Sequence, residues 1–184
     1  KSIIFVGEHP EFDVKNFEIT YTGKELSIKY PGASLKNFNI NIKIYTDQLI
    51  YVEARNGVEI KIDEKVQFPD DMLELFSSFG GKMIVNSSKT PWIKAKVLQG
   101  GSIRIIGETD LAEFTIKTGG TIGASFLNAQ KINAEVVMGG DIICNPLEIL
   151  NANVSAGGNI YYKTEPNRLN KNISLGGKIE KIDD

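Results

Sequence analysis

Over most of the chain, apolar and polar residues alternate in short runs that recur in register. One set of columns holds Met83, Ile103, Ile122, Ile142, Ile160 and Ile179, each directly preceded by a polar residue: Lys82, Ser102, Thr121, Asp141, Asn159 and Lys178. A second set holds Ile93, Ala112, Ile132, Leu150 and Leu169, then, four residues on, Val97, Ile116, Val136, Val154 and Ile173. Between those apolar columns stand Lys96, Thr115, Glu135, Asn153 and Asn172. A period of two with one apolar side is the mark of strands that bury one face, so the pattern predicts two strand runs per repeat.

Each pair of runs is separated by adjacent glycines: Gly80-Gly81, Gly100-Gly101, Gly119-Gly120, Gly139-Gly140, Gly157-Gly158 and Gly176-Gly177. The first glycines of successive pairs differ by 20, 19, 20, 18 and 19 residues. A fixed period of this size signals stacked units, each too small to bury its own apolar face. Paired-helix repeats need more than about 30 residues and a 3.6-residue rhythm, and are excluded. The expectation is an all-β fold, a single-stranded right-handed parallel β-helix of about 19–20 residues per coil with an N-terminal β cap. Gly-Gly supplies corners where φ can be positive and coils can approach without Cβ atoms between them. The right hand follows from the general rule for parallel connections.

Residues 1–47 lack the repeat and are read as the hairpin and cap region; residues 48–184 are read as one continuous stack. In the first part Phe17–Tyr21 and Glu25–Tyr30 alternate around Thr22-Gly23-Lys24, a hairpin signal, and Phe38–Ile44 is a third run. Such a region would cover the unpaired edge of the first coil. Gly57 followed by Val58 serves as an early corner, with Ile50, Val52 and Ala54 inward before it and Ile60 and Ile62 after it. From Pro69 to Phe79 the spacing of Met72, Leu75, Phe76 and Phe79 predicts a short helix or turn, and Ser77 interrupts an apolar column there. At the far end Lys181 follows Val85, Ile105, Ala124, Cys144 and Tyr162 in one column, a charge that discourages a further coil.

Bulk properties narrow the function. The 184 residues carry a net charge of -2 with both signs interspersed, so no basic face for nucleic acid is expected. No apolar run reaches the roughly 20 residues of a membrane-spanning helix. The sequence opens at Lys1-Ser2-Ile3-Ile4 without a signal peptide, an absence that says little about location. The single cysteine, Cys144, falls in an inward column and reads as a buried packing thiol. The single histidine, His9, precedes Pro10 in a turn with no second His or Cys near it, so no metal site is expected.

No catalytic constellation emerges. The outward carboxylates Glu113, Glu135 and Asp141 occur singly, where polysaccharide-cleaving enzymes need positioned pairs or metal clusters. Calcium-binding β-rolls repeat every nine residues, which this chain does not. The Gly-Gly pairs lack the strand-to-helix context of a phosphate loop, so no cofactor is expected. What remains is surface: Asn133, Asn151 and Asn170 form one outward row, Asn153 and Asn172 another, and Arg104, Ile143 and Tyr161 a third. Amides beside an aromatic ring suit sugar hydroxyls or a partner's backbone, making Arg104, Asn133, Asn153 and Tyr161 the candidate contact residues. Exposed Asn also simply tolerates strand edges in stacked coils.

Ser155-Ala156-Gly157-Gly158-Asn159-Ile160-Tyr161-Tyr162, leading through Pro166-Asn167-Arg168-Leu169-Asn170-Lys171 to Gly176-Gly177-Lys178-Ile179, together with the N-terminal hairpin, resembles the auto-transporter adhesin head GIN domain family. The resemblance covers nearly the whole chain and implies a Bacteroidetes-type exported protein, periplasmic or at the cell surface. It implies adhesion and carries no catalytic or binding residue onto this chain. The combined expectation is a non-enzymatic envelope module for adhesion or scaffolding, with a glycan or another envelope protein as partner. The alternatives are a carbohydrate-binding or polysaccharide-cleaving β-helix and a polymerising bactofilin-like scaffold.

Overall fold

The computed structural model describes residues 2–7, 13–31, 40–46, 48–63, 72–87 and 89–183. His9, Phe38 and Pro69–Asp71, which figure in the expectations above, lie outside the described residues. The chain forms two compact units, residues 1–46 and 47–184.

In the first unit β1 (Ser2–Gly7), β2 (Glu18–Tyr21), β3 (Leu26–Lys29) and β4 (Ile40–Tyr45) make two small antiparallel sheets. The hairpin read from sequence is β2–β3, with Tyr21 opposite Leu26 and Gly23 at φ 83° in the turn. The third run pairs with β1, from Ser2 opposite Tyr45 to Gly7 opposite Ile40. Sequence reasoning did not foresee this partner, because a six-residue strand with its mate over 30 residues away leaves no local signal.

The second unit is a parallel β-solenoid of about six turns. Its strands are β5 (Tyr51–Arg55), β6 (Glu59–Ile62), β7 (Met72–Ser78), β8 (Lys82–Ser87), β9 (Trp92–Leu98), β10 (Ser102–Thr118), β11 (Thr121–Met138), β12 (Asp141–Ala156), β13 (Asn159–Tyr162), β14 (Arg168–Leu175) and β15 (Lys178–Lys181). One face stacks the segments after each Gly-Gly corner, the other the segments before it. In β10, β11 and β12 a single strand runs through both faces. The inward ladder runs Ile60, Met83, Ile103, Ile122, Ile142, Ile160, Ile179 in register. On the other face Ile93, Ala112, Ile132 and Leu150 are fully buried, as are Val97, Ile116, Val136 and Val154. Each large aliphatic side chain so buried contributes about 1.5–3 kcal/mol, which is where the stack's stability resides. Cys144 is buried in its ladder between Ala124 and Tyr162, as expected.

Three details differ from the sequence reading. Residues Met72–Ser78 form strand β7, paired with β5 and β9, and not a helix or turn. Leu73, Leu75 and Ser77 point inward, so the period is two, and the apolar outward residues Met72 and Phe76 had mimicked helical spacing. Buried Ser77 is satisfied by the corner beside it: its hydroxyl donates to the Gly81 carbonyl at 2.6 Å and accepts from the Ser102 amide at 3.3 Å. A hydroxyl in an apolar column is thereby neutral rather than disruptive. Ile50 lies just before β5 and is exposed, whereas Val52 and Ala54 face the core as expected.

Both glycines have positive φ from the Gly119 corner on, but only the second stands tightly against the neighbouring coil. The first of each pair has positive φ, from 58° at Gly119 to 77° at Gly100, and a Cβ there would meet little or nothing. At the second, a Cβ would strike the backbone of the preceding coil: 2.6 Å from the Ser77 oxygen at Gly101 and 2.8 Å from the Gly120 oxygen at Gly140. This explains Val58, which occupies the second position of the Gly57 corner: no coil precedes it among the described residues.

Candidate functional site

The outward side chains of the face before the corners form two parallel rows. One aligns Lys94, Glu113, Asn133, Asn151 and Asn170; the other aligns Lys96, Thr115, Glu135, Asn153 and Asn172. Strand alternation puts both rows on the solvent side, with one residue of backbone between them. They flank a shallow groove of about 540 Å³ whose floor is the strand backbone at Ala95, Phe114, Ala134 and Ala152. Four steps of roughly 4.8 Å between five coils give the groove a length of about 19 Å along the solenoid axis.

The amides in this groove are tied to one another. Asn151 donates to Asn133 at 2.8 Å, Asn170 to Asn151 at 2.7 Å, and Asn172 to Asn153 at 3.0 Å. Each link uses one N–H and one oxygen lone pair, which leaves the other N–H and lone pair of Asn151 available at the surface. The ladders therefore brace neighbouring coils and present a regular polar comb at the same time. Glu113 and Glu135, read from sequence as isolated, both line the groove, on adjacent coils but in different rows. Glu135 is held by Lys117 at 3.3 Å, and Lys94 by Glu74 at 3.5 Å.

Of the four candidate contact residues, Asn133 and Asn153 belong to this groove. Arg104 and Tyr161 stand on the other strand face, in a row that runs Ile84, Arg104, Gly123, Ile143, Tyr161 and Glu180. The structure thus divides them between two surfaces. The guanidinium of Arg104 lies 5.9 Å from the centre of the Phe126 ring, and the Lys163 ammonium lies 5.4 Å from it. Phe126 was not foreseen, because it sits where the repeat slips. Ala124 pairs with Cys144 and the next pair is Asn128 with Asn145, so the intervening residues bulge and Phe126 is left 57% exposed. A residue count between Gly120 and Gly139 hides such a bulge.

At the end of the stack Lys171 takes the inward column of Ala95, Phe114, Ala134 and Ala152. Its ammonium donates to the Tyr162 hydroxyl at 3.1 Å and the Ile179 carbonyl at 3.0 Å, and sits 4.9 Å from the Tyr162 ring centre. Lys181, singled out from sequence, pairs in register with Tyr162 and is exposed. Burial pushes the Cys144 thiol up to about 12. Burial, and then the hydrogen bond to Glu53, push the Tyr51 phenol up to about 12. Among the described residues no group of three His, Cys, Asp or Glu side chains could hold a metal ion, and no helix is long and apolar enough to cross a membrane.

The fold has close counterparts among solved structures. A "putative adhesin" of Bacteroides fragilis superposes with a TM-score of 0.74 at 21% identity, over 92% of this chain and 78% of its own. A "putative adhesin" of Parabacteroides merdae gives 0.72 at 19% identity, over 98% and 82%. A "putative lipid binding protein" of Parabacteroides distasonis gives 0.67 at 19% identity, over 91% and 79%. Identities this low carry the fold alone. A comparison with curated proteins finds no match. Residues 8–166, spanning both compact units, match the family described as "Putative auto-transporter adhesin, head GIN domain", and the chain belongs to that family.

Proposed function

We propose that the chain is a non-enzymatic module of the cell envelope or surface that holds an extended partner, a glycan strand or a segment of another envelope protein, along the two-row groove. The observation that carries this reading is the groove itself: five coils of aligned amide, hydroxyl and charged side chains on a face braced by inter-coil hydrogen bonds. A preformed comb of donors and acceptors loses little side-chain entropy on binding, which favours repeated weak contacts over a deep pocket. Family membership supports export and adhesion. Catalysis is disfavoured because cleavage needs a positioned acid and base, and Glu135 is already engaged by Lys117 in an open groove.

The test is a panel of acidic and neutral polysaccharides and envelope-protein fractions, read for binding and for new reducing ends. Binding that weakens in Asn153→Ala and Glu113→Ala without bond cleavage supports the proposal. Turnover lost in Glu113→Gln or Glu135→Gln would replace it with the enzyme reading. End-to-end polymerisation of a bactofilin-like scaffold is disfavoured by Lys171 over the last coil. Light scattering should accordingly show no growth of particle size with concentration.

A further inference from the structure

The other strand face carries a glycine that neither backbone nor packing explains. Gly123 is absent from the positive-φ residues, and a Cβ built on it would meet nothing within 4 Å. In a strand, glycine weakens the element and offers no side chain to pack, and it often marks a place where a ligand approaches closely. Its outward neighbours in the row are Arg104 on the preceding coil and Ile143 on the following one. The result is a notch in a row that is otherwise filled. Phe126 follows Gly123 by three residues on the same coil and is 57% exposed at the bulge. Arg104 links the two features, since it pairs with Gly123 and lies over the Phe126 ring.

Cations from two different coils, Arg104 and Lys163, therefore converge on one exposed aromatic ring beside an empty notch. Next to it Thr164 donates to Asn145 at 2.7 Å and Asn145 to Asn128 at 2.8 Å, a polar chain along the same corner. An aromatic face stacks on the apolar side of a sugar ring, while guanidinium and ammonium groups bind carboxylate. We propose that Gly123, Phe126 and Arg104 form a binding site for a carboxylate-bearing sugar of an acidic glycan, distinct from the groove and independent of its function. The notch admits the ring edge, the exposed part of Phe126 packs against it, and Arg104 meets its carboxylate. Arg104 has no carboxylate partner among the described residues, so its five donors are available to an incoming anion.

The test uses the full chain on an array of uronate- and sialate-bearing glycans set against neutral glycans and a single-stranded oligonucleotide, at low and at physiological salt. Retention by acidic glycans only, weakening as salt is added, is expected. Phe126→Ala and Arg104→Gln should each weaken it by about tenfold. Gly123→Leu should abolish retention by filling the notch, and Gly123→Ala should weaken it while melting no lower than wild type, because the backbone there accepts any residue. Lys24→Ala, in the turn of the β2–β3 hairpin, should leave it unchanged. Retention by no acidic glycan, equal retention by neutral glycans, or a preference for the oligonucleotide would overturn the proposal. So would undiminished retention in Phe126→Ala and Gly123→Ala, which decide the matter if Gly123→Leu fails to fold.

Discussion

Replacing Gly139 and Gly140 one at a time by alanine separates two reasons for glycine that the sequence shows as a single motif. At Gly139 φ is 66° and a Cβ would meet nothing within 4 Å, so the substitution incurs only backbone strain. That strain is about 1–2 kcal/mol in the left-handed region, offset by about 0.4–1 kcal/mol through the less flexible unfolded chain. The net loss is about 1 kcal/mol, or roughly 2–4 °C in a chain of this length. Gly139→Asn should cost less still, since Asn tolerates this region and Asn56 already occupies it at φ 54°. At Gly140 φ is 102°, and a Cβ would lie 2.8 Å from the Gly120 oxygen and 2.9 Å from Ile116 Cγ2. Relief requires parting two coils whose backbones are hydrogen-bonded there, as Asp141 N–H donates to the Gly120 oxygen at 3.0 Å. Strain of about 1–3 kcal/mol adds to overpacking of about 1–3 kcal/mol, a loss on the order of 10 °C. Thermal unfolding followed by circular dichroism reads both variants. Equal losses, or a larger loss at Gly139, would refute the division of labour at the corners.

Ile142→Asp should unfold the domain at room temperature, because it buries an unpaired charge between Ile122 and Ile160, and a melt within a few degrees of wild type would contradict the ladder. Cys144 should label slowly with a thiol reagent in the native protein and rapidly once denatured. Its folded pKa of about 12 lies above the ordinary value of 9.0, so the native state holds the proton more tightly. Stability should fall as pH rises from about 9 towards 12, and Cys144→Ala should flatten that fall in pH-dependent denaturant melts. Lys171→Ala should lower the melting temperature by a few degrees and raise self-association in size-exclusion chromatography, as it uncovers Tyr162 and the Ile179 carbonyl.

The stack was legible because every coil repeats the same physical problem. Ile122, Ile142 and Ile160 had to be apolar for the same reason, and the second glycine of each corner had to lack a Cβ against the coil before it. Where a coil departs from the repeat, the sequence misleads: β7 borrows a helical spacing from its outward Met72 and Phe76, and the Phe126 bulge shifts side chains that the column count places elsewhere. The surfaces were half legible. Outward amide rows follow from strand alternation, so Asn133 and Asn153 could be placed. That Arg104 belongs with Phe126 and Lys163 depends on side chains reaching across coils, which no single-strand pattern encodes. Lys171 carries no signal of its own, because a lysine in the last coil looks like any exposed lysine until its strand is paired with Ala152, where the charge covers the end of the core.

In-register stacking of coils is most directly tested with paired cysteines on the groove face. Asn133 and Asn151 are partners across neighbouring strands, and the roughly 4.8 Å between parallel strands lies within disulfide range. Asn133 and Asn153 are offset by two further residues, about 8 Å apart, beyond reach without backbone movement. Under mild oxidation the Asn133→Cys/Asn151→Cys variant should close its disulfide almost completely and melt no lower than wild type, while Asn133→Cys/Asn153→Cys should stay reduced. The reverse outcome, or equal oxidation of both, would contradict the coil register on which the groove and the notch depend.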